Sequence, residues 1–392
     1  MRRAWRSSST IVSMLENDDL LAWGTLGRAP GLDVATLSAA LDRLGSPTAI
    51  LSASKAKRVH AAIPSVTAAF LSTPAAVPRT AERRWLEAAR HYLIPCRDPR
   101  FPRLLLSLPD CPIVLYVSGN IDALTDPQLA IVGSRNPTHQ GRETAGAFAE
   151  YLAERGLGIT SGLAEGIDAG AHRGALKAQG ITLGVLGTGI DVVYPRCNQR
   201  LCEDIERQGA LITEFPLGTP PSRGNFPQRN RIIAGLCLGT LVVEAARRSG
   251  SLITARLANT YGREVFAIPG SIHNPLSRGC HELIKAGAKL VETADDILAE
   301  LNFSAFFTND LGKTAAARSE ALPSPGMDKD RKILLDALGF DPADLDMLVV
   351  RTGFKPDAVS SMMLILELEG HVQAAPGGRY SRVAYRRAGG ER

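Results

Sequence analysis

Leu129-Ala130-Ile131-Val132-Gly133-Ser134-Arg135 is the stretch from which the architecture of this chain can be read. Four consecutive apolar residues running into a glycine turn suit a strand buried on both faces, with a loop at its carboxyl end. The same texture recurs downstream. Gly158-Ile159-Thr160, Ile181-Thr182-Leu183-Gly184-Val185-Leu186, Leu211-Ile212-Thr213, Thr240-Leu241-Val242-Val243 and Val265-Phe266-Ala267-Ile268 are strand-like. Between them lie helix-length segments such as 142–155, 169–179 and 198–208. Apolar strands alternating with helices predict a doubly wound α/β domain built on a parallel sheet.

On the N-terminal side, residues 17–73 read as short helices. Leu37, Leu41 and Leu44 recur at helical spacing before Gly45-Ser46-Pro47 interrupts them. Pro74 and Pro78 mark a junction into a helix over about 80–91, and the proline-rich stretch 92–119 suits a strand with an irregular lead-in. On the C-terminal side, 302–326 has little periodicity and reads as a linker. Three short helices (329–338, 342–352, 356–368) and a two-stranded wing over 371–385 then form a winged-helix pattern. The expected organisation is a helical module over 1–78, the α/β domain over 79–301, the linker, and the winged helix over 327–388.

A chain of 392 residues, 45% apolar and 22% charged, buries a full-sized core and is no disordered polyelectrolyte. Its net charge of +5 excludes a histone-like polymer. Any nucleic-acid surface must therefore be local. Six cysteines, Cys96, Cys111, Cys197, Cys202, Cys237 and Cys280, form no C-x-x-C pair, so reduced thiols are expected rather than disulfides or zinc. Met1-Arg2-Arg3 leads into polar and then acidic residues, and no apolar run reaches spanning length. A cytoplasmic location is expected.

In a doubly wound sheet, ligands bind beyond the carboxyl ends of the strands. Small and polar residues stand there: Gly133-Ser134-Arg135, Ser161-Gly162 through Asp168, and Gly187-Thr188-Gly189. Glycines and free N–H groups at helix starts suit a phosphate-bearing ligand. Neither G-x-G-x-x-G nor a P-loop is present, and a lone two-glycine turn is ordinarily structural. Asp168 reads as a helix N-cap and His172 as a satisfied buried partner. No catalytic constellation, metal site or cofactor is expected.

The densest chemistry is Phe226-Pro227-Gln228-Arg229-Asn230-Arg231, extended through Arg247-Arg248-Ser249-Gly250-Ser251 to Arg256. Spaced cations and N–H donors suit repeated phosphates, and an aromatic suits unpaired bases. Phe226 alone would read as core, and Arg229 and Arg231 as partners of acids such as Glu244. Residues 223–256, however, hold six arginines against that one acid, an excess equal to the net charge of the whole chain. The segment therefore reads as a strand-binding surface.

These strings resemble the bacterial DNA-processing protein A (DprA, or Smf) family. The resemblance rests on Ala130–Arg135, Ser161–Asp168 with Ala171-His172, Gly184–Asp191 with Tyr194-Pro195, Phe226–Gly235, Ser249–Ala255 and Gly262-Arg263 through Gly270, all in one order. It implies an extended Rossmann domain that binds single-stranded DNA, flanked by a SAM-like helical module and a winged helix. It also implies a homodimer formed through that domain, and delivery of the strand to the recombinase RecA during natural transformation. By the same resemblance Arg135 and Arg223 would hold phosphates and Phe226 would meet a base. Gly133, Ser134, Gly162, Arg229, Asn230, Arg231, Ser249, Gly250 and Ser251 would complete the DNA-binding pocket.

Three departures accompany it. Gln140-Gly141 stands where the family often has Tyr-Gly, and Gly279-Cys280-His281 where Gly-x-Asn is usual. The helix over 356–368 offers Asp357, Glu367, serines and apolar residues, not the Arg, Lys, Asn or Gln of a duplex reader. A protein contact or a stabilising role is expected of it instead. Two other functions compete: a phosphoribohydrolase-like nucleotide-hydrolysing enzyme and a duplex-binding regulator. The first would need a Pro-Gly-Gly-x-Gly-Thr loop, and here Gly239-Thr240 falls inside a strand-like run.

Overall fold

The computed structural model describes residues 17–73, 80–301, 303, 329–339, 342–375 and 378–382. Five helices open it: α1 (Asn17–Gly27), α2 (Val34–Leu44), α3 (Pro47–Ser52), α4 (Lys55–His60) and α5 (Ser65–Phe70). Their starts follow from capping chemistry. Asp33 accepts from the Thr36 amide, Ser46 from Ala49 and Ser54 from Lys57, each satisfying an N–H that the first helical turn leaves unpaired. Leu37 and Leu41 point inward, as their spacing requires, and pack with Trp23, Leu26 and Ile50. The helix expected over about 80–91 is α6 (Thr80–Leu86) and ends earlier, because the chain turns extended at His91.

A nine-stranded sheet follows: β1 (His91–Pro95), β2 (Val114–Gly119), β3 (Gln128–Val132), β4 (Gly158–Ser161), β5 (Thr182–Val185), β6 (Ala210–Thr213), β7 (Gly239–Val242), β8 (Glu264–Ala267) and β9 (Lys289–Leu290). The spatial order is β1-β2-β6-β5-β4-β3-β7-β8-β9. From β6 through β9 every pairing is parallel, as expected. The expectation of a wholly parallel sheet is corrected at one edge, where β1 pairs antiparallel with β2 and β2 antiparallel with β6. The connection from Cys96 to Ile113 carries a short helix, α7 (Arg103–Leu106), whose Leu105, with Leu108, packs against Gly235, and the chain then returns beside β1 in the opposite direction.

The helices that cover the two faces are α8 (His139–Glu154), α9 (Ile167–Lys177), α10 (Gln199–Gln208), α11 (Asn225–Leu236), α12 (Ser251–Thr260), α13 (Arg278–Lys285) and α14 (Ala294–Glu300). Alternation along β3 sorts the core into two layers. Leu129 and Ile131 join the cluster containing Leu152, Ile159 and Ile167, whereas Ala130 and Val132 join the one containing Ile232 and Leu236. The expected linker over 302–326 lies outside the described residues apart from Phe303, which is buried against Ile297 and its neighbours.

The C-terminal unit, described by itself, runs α15 (Lys329–Leu338), β10 (Ala343–Asp344), α16 (Leu345–Thr352), α17 (Pro356–Leu368) and the hairpin β11 (Val372–Ala375) and β12 (Arg379–Arg382). The short strand β10 pairs with β12 and adds to the two-stranded wing expected from the sequence. Leu334, Leu338, Leu348, Val359, Met363 and Leu366 form its core. The outer side of α17 carries Leu364 and Leu368, 59% and 80% exposed.

The winding order fixes where a ligand can sit. From β3 the chain moves outward through β4, β5 and β6, then resumes at β7 on the opposite side of β3. The loops leaving β3 and β7 therefore diverge to opposite faces and open a crevice between them.

Candidate nucleic-acid interface

The loop after β3 is the first wall of that crevice, and Glu244, just after β7, holds it in shape. The amide of Ser134 donates to the Glu244 carbonyl oxygen at 2.7 Å. The Thr138 amide and hydroxyl donate to the two Glu244 carboxylate oxygens at 2.8 and 2.6 Å. Thr138 in turn caps α8 by accepting from the Gly141 amide. Gly133 is required by crowding: a Cβ there would lie 2.6 Å from Ile167 Cγ1 and 2.9 Å from the Glu244 carbonyl oxygen. The result presents Arg135 to solvent, with no ion pair among the described residues. Its guanidinium stands 5.5 Å from the centre of the Phe226 ring.

Phe226 lies in the first turn of α11 and is half-buried. Tyr194 contacts it with ring centres 5.6 Å apart and a 35° tilt. Arg135, Gly162, Glu165, Tyr194, Phe226 and Arg229 line a cavity of about 180 Å³. A larger groove of about 470 Å³ runs from Arg135 and Arg223 past Asn230 to Ser249, Gly250 and Ser251. That far end is the start of α12, where Ser249 and Ser251 share a hydroxyl hydrogen bond of 2.7 Å. The amides of Ser251, Leu252 and Ile253 are turned to acceptors on Ser249 and Gly250, so this helix start offers an anion its partial positive charge rather than free N–H groups.

Residues 92–302 match the family profile described as DNA recombination-mediator protein A, and residues 316–378 that of the DprA winged helix domain. The chain belongs to the DNA recombination-mediator protein A family. Protein Smf of Escherichia coli K12 is 45% identical over 299 residues, covering 75% of this chain and 78% of that one. The DNA processing protein DprA of Streptococcus pneumoniae R6 is 48% identical over 206 residues, 53% of this chain and 73% of that one. The X-ray structure of the S. pneumoniae protein superposes with a TM-score of 0.63 at 36% identity, covering 73% of this chain and 99% of that chain. A structure of Helicobacter pylori DNA processing protein A, described for its single-stranded DNA binding mode, gives 0.50 at 28% identity over 55% and 97%.

Within this DprA-family chain the structure divides the sequence candidates into two groups. Gly133, Ser134, Arg135, Gly162, Arg223, Phe226, Asn230, Ser249, Gly250 and Ser251 converge on the cavity and its groove or on the loop that shapes them. Arg229 and Arg231 are held inside the fold. Arg229 is 4% exposed, and its guanidinium donates to the carbonyl oxygens of Gly162, at 2.6 Å, and Val185. It forms the cavity floor, and burial pushes its pKa down to about 10, against the pull of Asp168. Arg231 points away, ion-paired with Glu214 and lying 3.7 Å from Asp110. Neither pairs with Glu244, whose carboxylate is spent on Thr138. Arg247 is bound to Glu282 at 2.6 Å, while Arg223, Arg248 and Arg256 stay exposed. The charge excess of residues 223–256 is thus partly consumed inside the fold.

Two buried groups stand behind the cavity. Asp168 sits inside the first turn of α9 rather than at its N-cap, which is Gly166. Its carboxylate accepts from the amides of Gly162, at 3.1 Å, and Ala164, at 3.4 Å, and so shapes the loop after β4. Burial raises its pKa, opposed by Arg229. The satisfied partner expected of His172 is only half realised: Nδ1 is hydrogen-bonded, while Nε2 is buried without a partner among the described residues. The Thr182 hydroxyl donates to the Ile159 carbonyl, so it accepts from His172 Nδ1–H at 2.7 Å.

Burial pushes the His172 pKa down to about 3. The folded value lies below the unfolded one of about 6.5, so the unfolded chain binds the proton first. Stability is full above that pH and falls by about 1.4 kcal/mol per unit as the pH drops toward the folded value. Replacing His172 with Gln removes that component. Denaturant titrations at neutral and mildly acidic pH, roughly two units below the histidine pKa, should show the wild type losing about 2–3 kcal/mol more than the variant.

Glu244, Tyr194 and Glu165 are site residues that sequence reasoning did not assign. Tyr194 and Glu165 lie within recognised motifs, but nothing in their spacing shows that they face Phe226 and the cavity. Among the described residues no His, Cys, Asp or Glu cluster could hold a metal ion, and no helix is long and apolar enough to cross a membrane.

Proposed function

We propose that this recombination mediator binds single-stranded DNA in the crevice between the loops after β3 and β7. The observation that carries the reading is the exposed Arg135 guanidinium poised over the half-buried Phe226 ring, at the mouth of a groove ending at the start of α12. A single strand offers phosphates and unpaired bases together, and this surface sets a cation, an aromatic face and the positive end of a helix within one groove. The H. pylori relative, described by its binding of single-stranded DNA, supports the same reading. Dimerisation through the α/β domain and delivery of the strand to RecA extend it.

The nucleotide-hydrolase alternative required a loop at Gly239-Thr240. Both residues are buried inside β7, and Gly239 packs against Phe266. For the winged helix we favour a protein contact, since α17 turns leucines outward where a duplex reader presents cations.

The test is a gel shift with single-stranded oligonucleotides across a salt series. Phe226→Ala should weaken binding by about 1–3 kcal/mol while the dependence of log K on log salt keeps its slope. Stacking releases no counterion, which separates it from the arginines. Equal affinity of Phe226→Ala and wild type removes Phe226 from the site.

A further inference from the structure

Glu165 is an anomaly in a site for a polyanion. It lines the small cavity together with Arg135, Tyr194 and Phe226, yet it is exposed and no cation lies within ion-pair distance among the described residues. Its carboxylate meets the Cys197 thiol, a weak donor 3.4 Å from Oε1. An uncompensated carboxylate beside a phosphate-binding groove opposes binding through its charge. The cavity that Glu165 lines measures about 180 Å³, on the scale of one nucleobase.

We propose that Glu165 makes this cavity selective for the base it receives, favouring cytosine and guanine over thymine. The proposal rests on the reading of the crevice as a single-strand site. An ionised carboxylate only accepts hydrogen bonds. Cytosine offers the N4 amine, and guanine offers N1–H and the N2 amine side by side, a bidentate match. Thymine offers a single N3–H flanked by two carbonyl oxygens, and both repel the carboxylate. In a single strand these edges are unpaired and accessible. The phosphate groove binds any sequence, and the cavity adds a preference at one position.

Glu165→Gln keeps the shape and supplies an amide that both donates and accepts, so thymine is accommodated and the repulsion of phosphates disappears. The experiment measures affinities of the full chain for oligo-dC and oligo-dT of roughly 15 nucleotides, in mildly alkaline buffer, by fluorescence anisotropy. Wild type should prefer oligo-dC by about fivefold or more, and in Glu165→Gln the ratio should fall toward one as oligo-dT binding tightens. Arg135→Ala serves as the second arm. If Arg135→Ala abolishes binding but wild type and Glu165→Gln share one dC-to-dT ratio, the base selection is overturned and the site stands. If Arg135→Ala leaves both affinities unchanged, the site reading falls, and the proposal with it.

Discussion

Arg135→Ala should lower single-strand affinity at least tenfold at physiological salt and flatten the salt dependence by about 0.7 in slope for each phosphate left unneutralised. The guanidinium is exposed, pairs with no carboxylate among the described residues, and is aimed into the crevice by a loop whose shape Glu244 holds. Its removal therefore costs little folding energy, since exposed side chains away from buried networks usually change stability by less than about 0.5 kcal/mol. The pairing of weakened binding with an unchanged melting temperature is the signature. Arg135→Lys should recover most of the slope, because a point charge still releases a counterion. It should recover only part of the affinity, because an ammonium lacks the planar fork that grips a phosphate with two hydrogen bonds. Unaltered slopes in Arg135→Ala would place the phosphate path elsewhere on the molecule.

Arg229→Ala should fail in the opposite way, losing about 3–5 kcal/mol of stability. Arg229 is buried, bridges the carbonyl oxygens of Gly162 and Val185, and faces the buried Asp168. Truncation takes the guanidinium donor from two carbonyls and removes the positive charge that attracts the buried Asp168 carboxylate, in an interior where such groups are expensive. Thermal unfolding should shift down by roughly 6–20 °C for a domain of this size. The double variant with Asp168→Ala should cost less than the sum of the two singles by about 1–3 kcal/mol, because the second change removes the charge that the first left unpaired. Strict additivity, or a melting temperature equal to wild type, would show that the pair does not hold the cavity floor. Any loss of DNA binding by Arg229→Ala is then read through folding.

These two arginines lie in motifs that look equally basic on paper, and their fates show where one-dimensional reading stops. The pattern at 129–135 announced a buried strand leading into a polar turn, and β3 with its loop is that feature. Period and composition are local properties, so strands and helices were visible from short runs such as Leu37, Leu41 and Leu44 in α2. The antiparallel edge was not, because the direction of β2 depends on how the connection from Cys96 to Ile113 packs, and no periodicity encodes that. Likewise Glu244 was legible only as an acid at a strand end; its grip on Thr138, 106 residues away in the chain, exists because β3 and β7 are neighbours.

The amino-acid sequence by itself determined the α/β winding, the winged helix and the zone of small residues and arginines beyond the carboxyl ends of the strands. It did so because apolar periodicity and turn chemistry act over a few residues at a time. The tertiary structure alone decided which arginines remain available to a ligand. Arg135 and Arg223 face solvent, while Arg229 and Arg231 are bound to carbonyls and carboxylates contributed by other strands and loops. A cation's role is set by the partners that folding brings within a few ångströms, and at those distances burial and pairing outweigh the charge that composition counts.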